Sequence, residues 1–189
     1  MDKIKLIGKN YYLESLQIDD VTERYVSWLN DPEVNRFLEV RFIKSTLENT
    51  RNYVETFDNK YRFLFGIYTM HDNQHIGNMA LHINKNHNIA DFGYLIGEKD
   101  YWGKLASKEA IILLLDYSFN TLNIRKVWGG SYAGNIGSIS NFKKLGFVQE
   151  ARLREDNFDG EKITDGLIFS ILQREWIEKE EITKKAFLA

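Results

Sequence analysis

The chain has 189 residues, 43% of them hydrophobic and 14% aromatic, enough apolar surface to bury one full core. Twenty-five Lys and Arg against 27 Asp and Glu leave a net charge of -2, so no global field recruits nucleic acid or an anionic membrane. Cysteine is absent, which excludes disulfides, thiolate metal sites and a cysteinyl intermediate.

The opening "MDKIKLIGKN" lacks the apolar core of a secretion signal, and the longest apolar run, "AIILLLDY", is too short to span a bilayer. The expectation is a soluble, cytoplasmic protein. One proline, Pro32, with no linker and no repeat, predicts a single unit over residues 6–176, followed by a charged helix or tail over 177–189.

In chain order, Tyr11 to Leu16 reads as a short strand behind the "GKN" turn. Asp19 and Asp20 offer an N-cap to "VTERYVSWLN", in which Val21, Tyr25, Trp28 and Leu29 share a helical face. "STLE" at Ser45 to Glu48 has capping-box spacing and predicts a helix running toward Phe57. Then "YRFLFGIYTM", "HIGNMALHIN" and "IADFGYLIG", separated by the polar turns "HDNQ" and "KNHN", predict an antiparallel meander. The period changes in "KLASKEAIILLLDYSFNTL", where Ile111, Ile112, Leu115, Phe119 and Leu122 form a helical stripe. "IRKVWGGSY", "FVQEARLR" and "ITDGLIFSIL" complete the strands, with a turn at Asp159-Gly160. The class is α+β, a mixed sheet with one strand-helix-strand crossover.

Two helix starts follow strands directly, and such a start offers unpaired amides and a partial positive charge to a pyrophosphate. One contains Gly103 and Lys104; at the other, Asn135 and Ser138 open a helix whose Ile139, Phe142 and Leu145 face the core and which Gly146 closes. Ordinary strand-to-helix turns would look the same on spacing alone. A nucleotide P-loop is rejected, because Asn135 and Ile136 stand where "GGSYAGNIGS" would need Lys and Ser or Thr, and no G-x-G-x-x-G occurs. Three of the four histidines, His71, His75 and His87, sit in or beside polar turns, and no metal is expected. His82 and Asp91, on neighbouring strands, form either a proton-transfer pair or a surface cross-strand contact.

Together, "ADFGYLIGEKDYWGKLASKEA" and "NIGSISNFKKLGF" resemble the two cofactor motifs of the GNAT N-acetyltransferase superfamily, in the RimJ/RimL-like branch. The resemblance covers roughly Leu6 to Trp176, with "WLNDPEVNRFL" similar to the substrate-side helices and "DGEKITDGLIFSILQREW" to the final hairpin. It implies a mostly antiparallel central sheet flanked by helices, with an acetyl-CoA site where two strands splay. Leu95, Ile96 and Gly97 would hold the thioester and pantetheine arm. Trp102, Gly103, Lys104, Leu105, Ala106, Ser107 and Lys108 would receive the pyrophosphate, and Asn135, Ser138 and Phe142 would flank the sulfur end. Leu105 stands where the family pattern has glycine; a left-handed backbone there would be strained, whereas helix-start geometry would leave the amides available.

The implied activity is direct transfer of an acetyl group to a primary amine in a ternary complex. Asp91, then His82, are candidate bases. Phe142 stands where many family members carry a tyrosine for the departing thiolate, which makes Ser138 the nearest substitute. Trp28, Phe37, Phe42 and Tyr94 would line an acceptor pocket, favouring a small metabolite or amino-sugar amine. A protein N-terminal acetyltransferase of the ribosomal-protein type and a non-catalytic acyl-CoA-binding relic are the alternatives. No nucleic acid, membrane or metal partner is expected; the C-terminal "WIEKEEITKKAFLA" would serve a homodimer or fray as an amphipathic tail.

Overall fold

The structure, a computed structural model, describes residues 3–188. Met1 and Asp2 of the opening stretch and Ala189 of the charged tail lie outside the described residues. Eight strands form one sheet: β1 (Lys5–Ile7), β2 (Tyr11–Ser15), β3 (Arg62–Thr69), β4 (His75–Asn84), β5 (Ile89–Ile96), β6 (Lys126–Tyr132), β7 (Val148–Phe158) and β8 (Ile163–Leu172). The spatial order is β1-β2-β3-β4-β5-β6-β8-β7, antiparallel throughout except between β5 and β6. The mixed α+β class read from the alternating and helical periods is the one observed. β1 carries too few residues to give a periodic signal of its own.

Five helices flank the sheet: α1 (Glu23–Asn30), α2 (Leu47–Glu55), α3 (Ala106–Asp116), α4 (Ile136–Lys144) and α5 (Gln173–Leu188). α3 is the crossover between the parallel strands, and its Ile111, Ile112, Leu114 and Leu115 are fully buried. Each such side chain contributes about 1.5–3 kcal/mol relative to exposure. A π-helical turn, Tyr117–Thr121, ends this helix and keeps Phe119 in the core. One apolar cluster joins α3, α4 and Trp176 of α5 to one face of the sheet; another packs Tyr25, Trp28 and Leu29 of α1 and Val54 of α2 on Leu64 of β3.

The caps differ from the sequence expectation by small shifts. α1 is capped by Thr22, whose Oγ1 accepts the Tyr25 amide at 3.2 Å, while Asp19 and Asp20 lie in a preceding 3-10 turn, Ile18–Asp20. α2 starts one residue later than "STLE" suggests: Thr46 accepts from the Asn49 amide and the Asn49 side chain accepts from the Thr46 amide. Asparagine does the reciprocal work usually given to glutamate, so the glutamate rule picked the wrong residue. Among the described residues no helix is long and apolar enough to cross a membrane.

Candidate active site

β5 and β6 run side by side for only three residue pairs, Ile89↔Lys126, Ala90↔Val127 and Asp91↔Trp128. Beyond Asp91 they diverge, although β5 stays paired to β4 through Ile96 and β6 to β8 through Tyr132. Strand alternation decides which main-chain groups face the gap. The Gly97 amide donates to Ile76 O at 2.8 Å, so Gly97 and Leu95 turn toward β4, and Tyr94 and Ile96 turn toward β6. On the other arm the Ala133 amide donates to Asp165 O, which turns Gly130 toward β5. Of the three residues expected to hold a thioester through their backbone, only Ile96 therefore faces the gap, and the Trp102 indole N–H already binds its carbonyl at 2.8 Å.

The start of α3 stands beside this gap. Gly103 has φ +71°, with open space where a Cβ would be, while Leu105 has φ -77°. The left-handed residue of the turn is thus Gly103, and Leu105 sits unstrained with its side chain toward solvent. The first amide here to find a main-chain acceptor is Glu109, bonded to Leu105 O at 2.9 Å; among the described residues none accepts from Leu105, Ala106, Ser107 or Lys108 N–H. No side chain caps the helix. Lys108, in its first turn, has its pKa held below the usual lysine value by burial and by Lys144. Glu109 is fully buried, and its carboxylate accepts the amides of Lys9, Asn10 and Tyr11, which anchors the β1–β2 turn to α3.

α4 closes the other side. Asn135 is its N-cap, Oδ1 accepting the Ser138 amide at 3.1 Å, and Gly146, φ +83°, ends it. Phe142 is buried, stacked on Phe169 at 4.9 Å, and forms the floor of the gap. The Asn141 side-chain amide donates to Tyr94 Oη at 3.0 Å and to Ser107 Oγ at 2.9 Å, tying β5, α3 and α4 together. Burial pushes the Tyr94 pKa above the usual phenol value, against the opposing pull of Ser138 and Asn141.

A cleft of about 310 Å³ opens from the gap, with Phe37, Tyr94, Tyr132 and Ser138 on its walls. Two carboxylates, Glu39 and Asp156, complete it, and no lysine or arginine lines it. Glu39 Oε1 accepts the Tyr132 hydroxyl at 2.5 Å, and burial, then this bond, pushes the Tyr132 pKa up to about 12. Tyr132 therefore stays protonated and donating at neutral pH.

Four residues expected in this site lie elsewhere. Trp28 is buried beneath Gly97, its indole N–H on Glu98 at 2.7 Å; it supports the end of β5 and does not line the cleft. Phe42 is 59% exposed and carries only the Arg41 guanidinium on its ring. His82 and Asp91 do form the cross-strand pair, Nδ1 to Oδ2 at 3.1 Å, but neither lines the cleft and His82 stacks on Phe57 beyond α2. Alternation explains this, since Asp91 and Tyr94 are three apart and point to opposite faces. Glu39 and Asp156 were missed because each is an unremarkable surface carboxylate in sequence, 117 positions apart. Only the "WLNDPEVNRFL" resemblance pointed near the first.

A family model described as the acetyltransferase (GNAT) domain matches residues 11–148. The chain therefore belongs to the GNAT acetyltransferase family, and it is an N-acetyltransferase. The uncharacterized N-acetyltransferase p20 of Bacillus licheniformis is 25% identical over 169 residues, 87% of this chain and 93% of that one. The SPbeta prophage-derived N-acetyltransferase YokL of Bacillus subtilis is 29% identical over 170 residues, 89% and 93% of the two chains. The spermidine N(1)-acetyltransferase of Vibrio cholerae is 30% identical over 101 residues, 53% of this chain and 58% of that one. In fold, the chain is similar to the spermidine N-acetyltransferase of Vibrio cholerae solved with CoA and spermine, at TM-score 0.78, 23% identity and coverage of 89% and 98%. Enzymes of this family use acetyl-CoA; among the described residues no group of side chains could hold a metal ion.

Proposed function

We propose that this protein transfers the acetyl group of acetyl-CoA directly to the primary amine of a small molecule, and that it belongs to the RimJ/RimL-like branch of its family. The observation that carries the reading is the three-pair seam between β5 and β6 opening beside an uncapped α3. The residues fit the cofactor: Gly103 supplies the left-handed turn, and four amides from Leu105 to Lys108 await an anion. These residues, with Lys104 and Lys108, would hold the pyrophosphate, and Asn135, Ser138 and Phe142 would flank the pantetheine end. Acetyl-CoA, when bound, supplies the acetyl group as a thioester and leaves as the thiol.

The chain's own groups divide the remaining tasks. Main-chain N–H groups of Tyr94 and Ile96 face the gap and can stabilise a developing oxyanion without any side chain. An amine must shed its proton before attack, and Glu39, seated in the cleft against Tyr132, accepts it. Asp91 and His82 serve this role less well, since they lie outside the cleft. Ser138, on the cleft wall beside Tyr94, would donate a hydrogen bond to the departing thiolate, which takes its proton from solvent, in the place of the tyrosine that Phe142 replaces. The small-amine preference draws support from the aromatic and acidic lining and from the spermidine acetyltransferase relatives.

The test is calorimetric titration with acetyl-CoA, with ATP and NAD as controls, followed by a primary-amine panel. Selective acetyl-CoA binding and amine-dependent thiol release are expected. Equal binding of all three nucleotides, or none, would remove the reading.

A further inference from the structure

The acidic lining of the cleft has a local origin. β7 pairs regularly with β8 from Ala151 to Leu153, then slips, so that pairing resumes only at Asn157↔Thr164. The intervening Arg154, Glu155 and Asp156 form a bulge in which Glu155 takes φ +57°, a conformation costly for a residue with a side chain. Asp165 holds it: its carboxylate accepts the Glu155 amide at 2.9 Å and the Arg152 guanidinium at 2.5 Å. The consequence is the position of Asp156. Its Oδ2 would lie 2.7 Å from a Cβ on Gly166, so only glycine on β8 lets the carboxylate lie down in the cleft. Gly166 is in turn the register partner of Tyr132.

Asp156 and Glu39 thus converge on one tyrosine from opposite walls, and the charge of each raises the Tyr132 pKa. Glu39 has the Tyr132 hydroxyl; Asp156 has neither a hydrogen bond nor an ion pair among the described residues. Neither nearby arginine pairs with Asp156. Arg36 pairs with Asp159 and Glu161, and Arg41 donates through one nitrogen to Arg36 O, keeps its other two side-chain nitrogens unbonded, and lays its plane against Phe42, Phe158 and Tyr132. Aromatic faces plus an unpaired carboxylate, in a cleft without lysine or arginine, complement a cation.

We propose that Asp156 is a specificity-determining residue that holds a second ammonium group of the acceptor, so that the preferred acceptor is a diamine or longer polyamine. This rests on the amine-acceptor reading above and adds the second charge to it. One ammonium sits on Asp156 while the other, deprotonated, faces the gap.

The experiment is calorimetric titration of the full chain, without acetyl-CoA, with 1,4-diaminobutane and with n-butylamine. The diamine is expected to bind at least about tenfold more tightly, the scale of one charge-assisted contact. Asp156→Asn erases that preference, while Glu155→Gln, the neighbouring charge on the same bulge, keeps it. Turnover then gives the same ratio: in Asp156→Asn the KM for the diamine rises more than kcat falls. Equal affinity for the two amines, no binding of either, or an Asp156→Asn chain that keeps the preference each overturns the proposal. Failure to bind acetyl-CoA would instead strike the reaction assigned above and leave the diamine titration to decide this one.

Discussion

The first turns of α3 and α4 both follow a strand and both face the gap, yet they end differently. α4 satisfies itself: Asn135 fills the space in front of its amides. So do α1 and α2, through Thr22 and Thr46. α3 begins instead with Leu105, whose side chain can accept nothing, and four amides are left without an acceptor among the described residues. A helix start without a cap forgoes about 1 kcal/mol. The difference teaches that a helix start facing a gap is a candidate anion site when the side-chain cap that its neighbour across the gap carries has been withheld.

The contrast can be broken most severely at Lys108. Lys108→Glu puts a carboxylate in the first turn of α3, which favours the helix dipole and removes repulsion from Lys144. Acetyl-CoA affinity should fall on the order of 100-fold by calorimetry, while Tm stays level or rises. A fall in Tm with unchanged affinity would make α3 an ordinary structural helix start. At α4 the opposite holds: Asn135→Ala should cost about 1 kcal/mol in urea unfolding, and Asn135→Asp should retain the cap. If Asn135→Ala instead left stability intact and abolished binding, the two helix starts would have exchanged roles.

The smallest effect is on pH. Burial, then Lys144, holds the Lys108 pKa below its ordinary 10.5, so the free protein loses this proton earlier than an exposed lysine would. Phosphate binding favours the charged form. Affinity for acetyl-CoA should therefore be full at neutral pH and decline a few-fold as pH rises through the lowered Lys108 pKa, earlier than an exposed lysine would dictate. Lys108→Arg, which stays charged, should flatten that decline. A flat wild-type profile would detach Lys108 from the phosphate.

Much of this comparison was legible in the sequence, for a physical reason. Helix starts, glycine turns and buried stripes are local, so "YWGKLASKEA" and "NIGSISNFKKLGF" carried their positions with them. Leu105 looked like a defect because sequence does not give φ; its backbone proved right-handed, with Gly103 bearing the left-handed turn. Long-range placement was harder. His82 and Asp91 were correctly paired across two strands but on the face away from Tyr94. Asp156 could not be read at all, because a bulge breaks the strand period that would have oriented it. Trp28 and Phe42 show the limit of residue type: an aromatic near a site packs under it or faces water as often as it lines it.

The brevity of the β5–β6 seam has a mechanical side. Five antiparallel strands on one side and three on the other form two leaves, stitched by three residue pairs and clamped by the helices across them. The stitches would bear the strain of any flexing of the leaves, so the Trp128 amide, at the last of them, should exchange its hydrogen sooner than amides deep in the β6–β8 ladder. A ligand that filled the gap would touch both leaves and act as an additional rivet, and should slow that exchange from a distance. The open end of the sheet is in this sense built as a hinge that a bound ligand would lock.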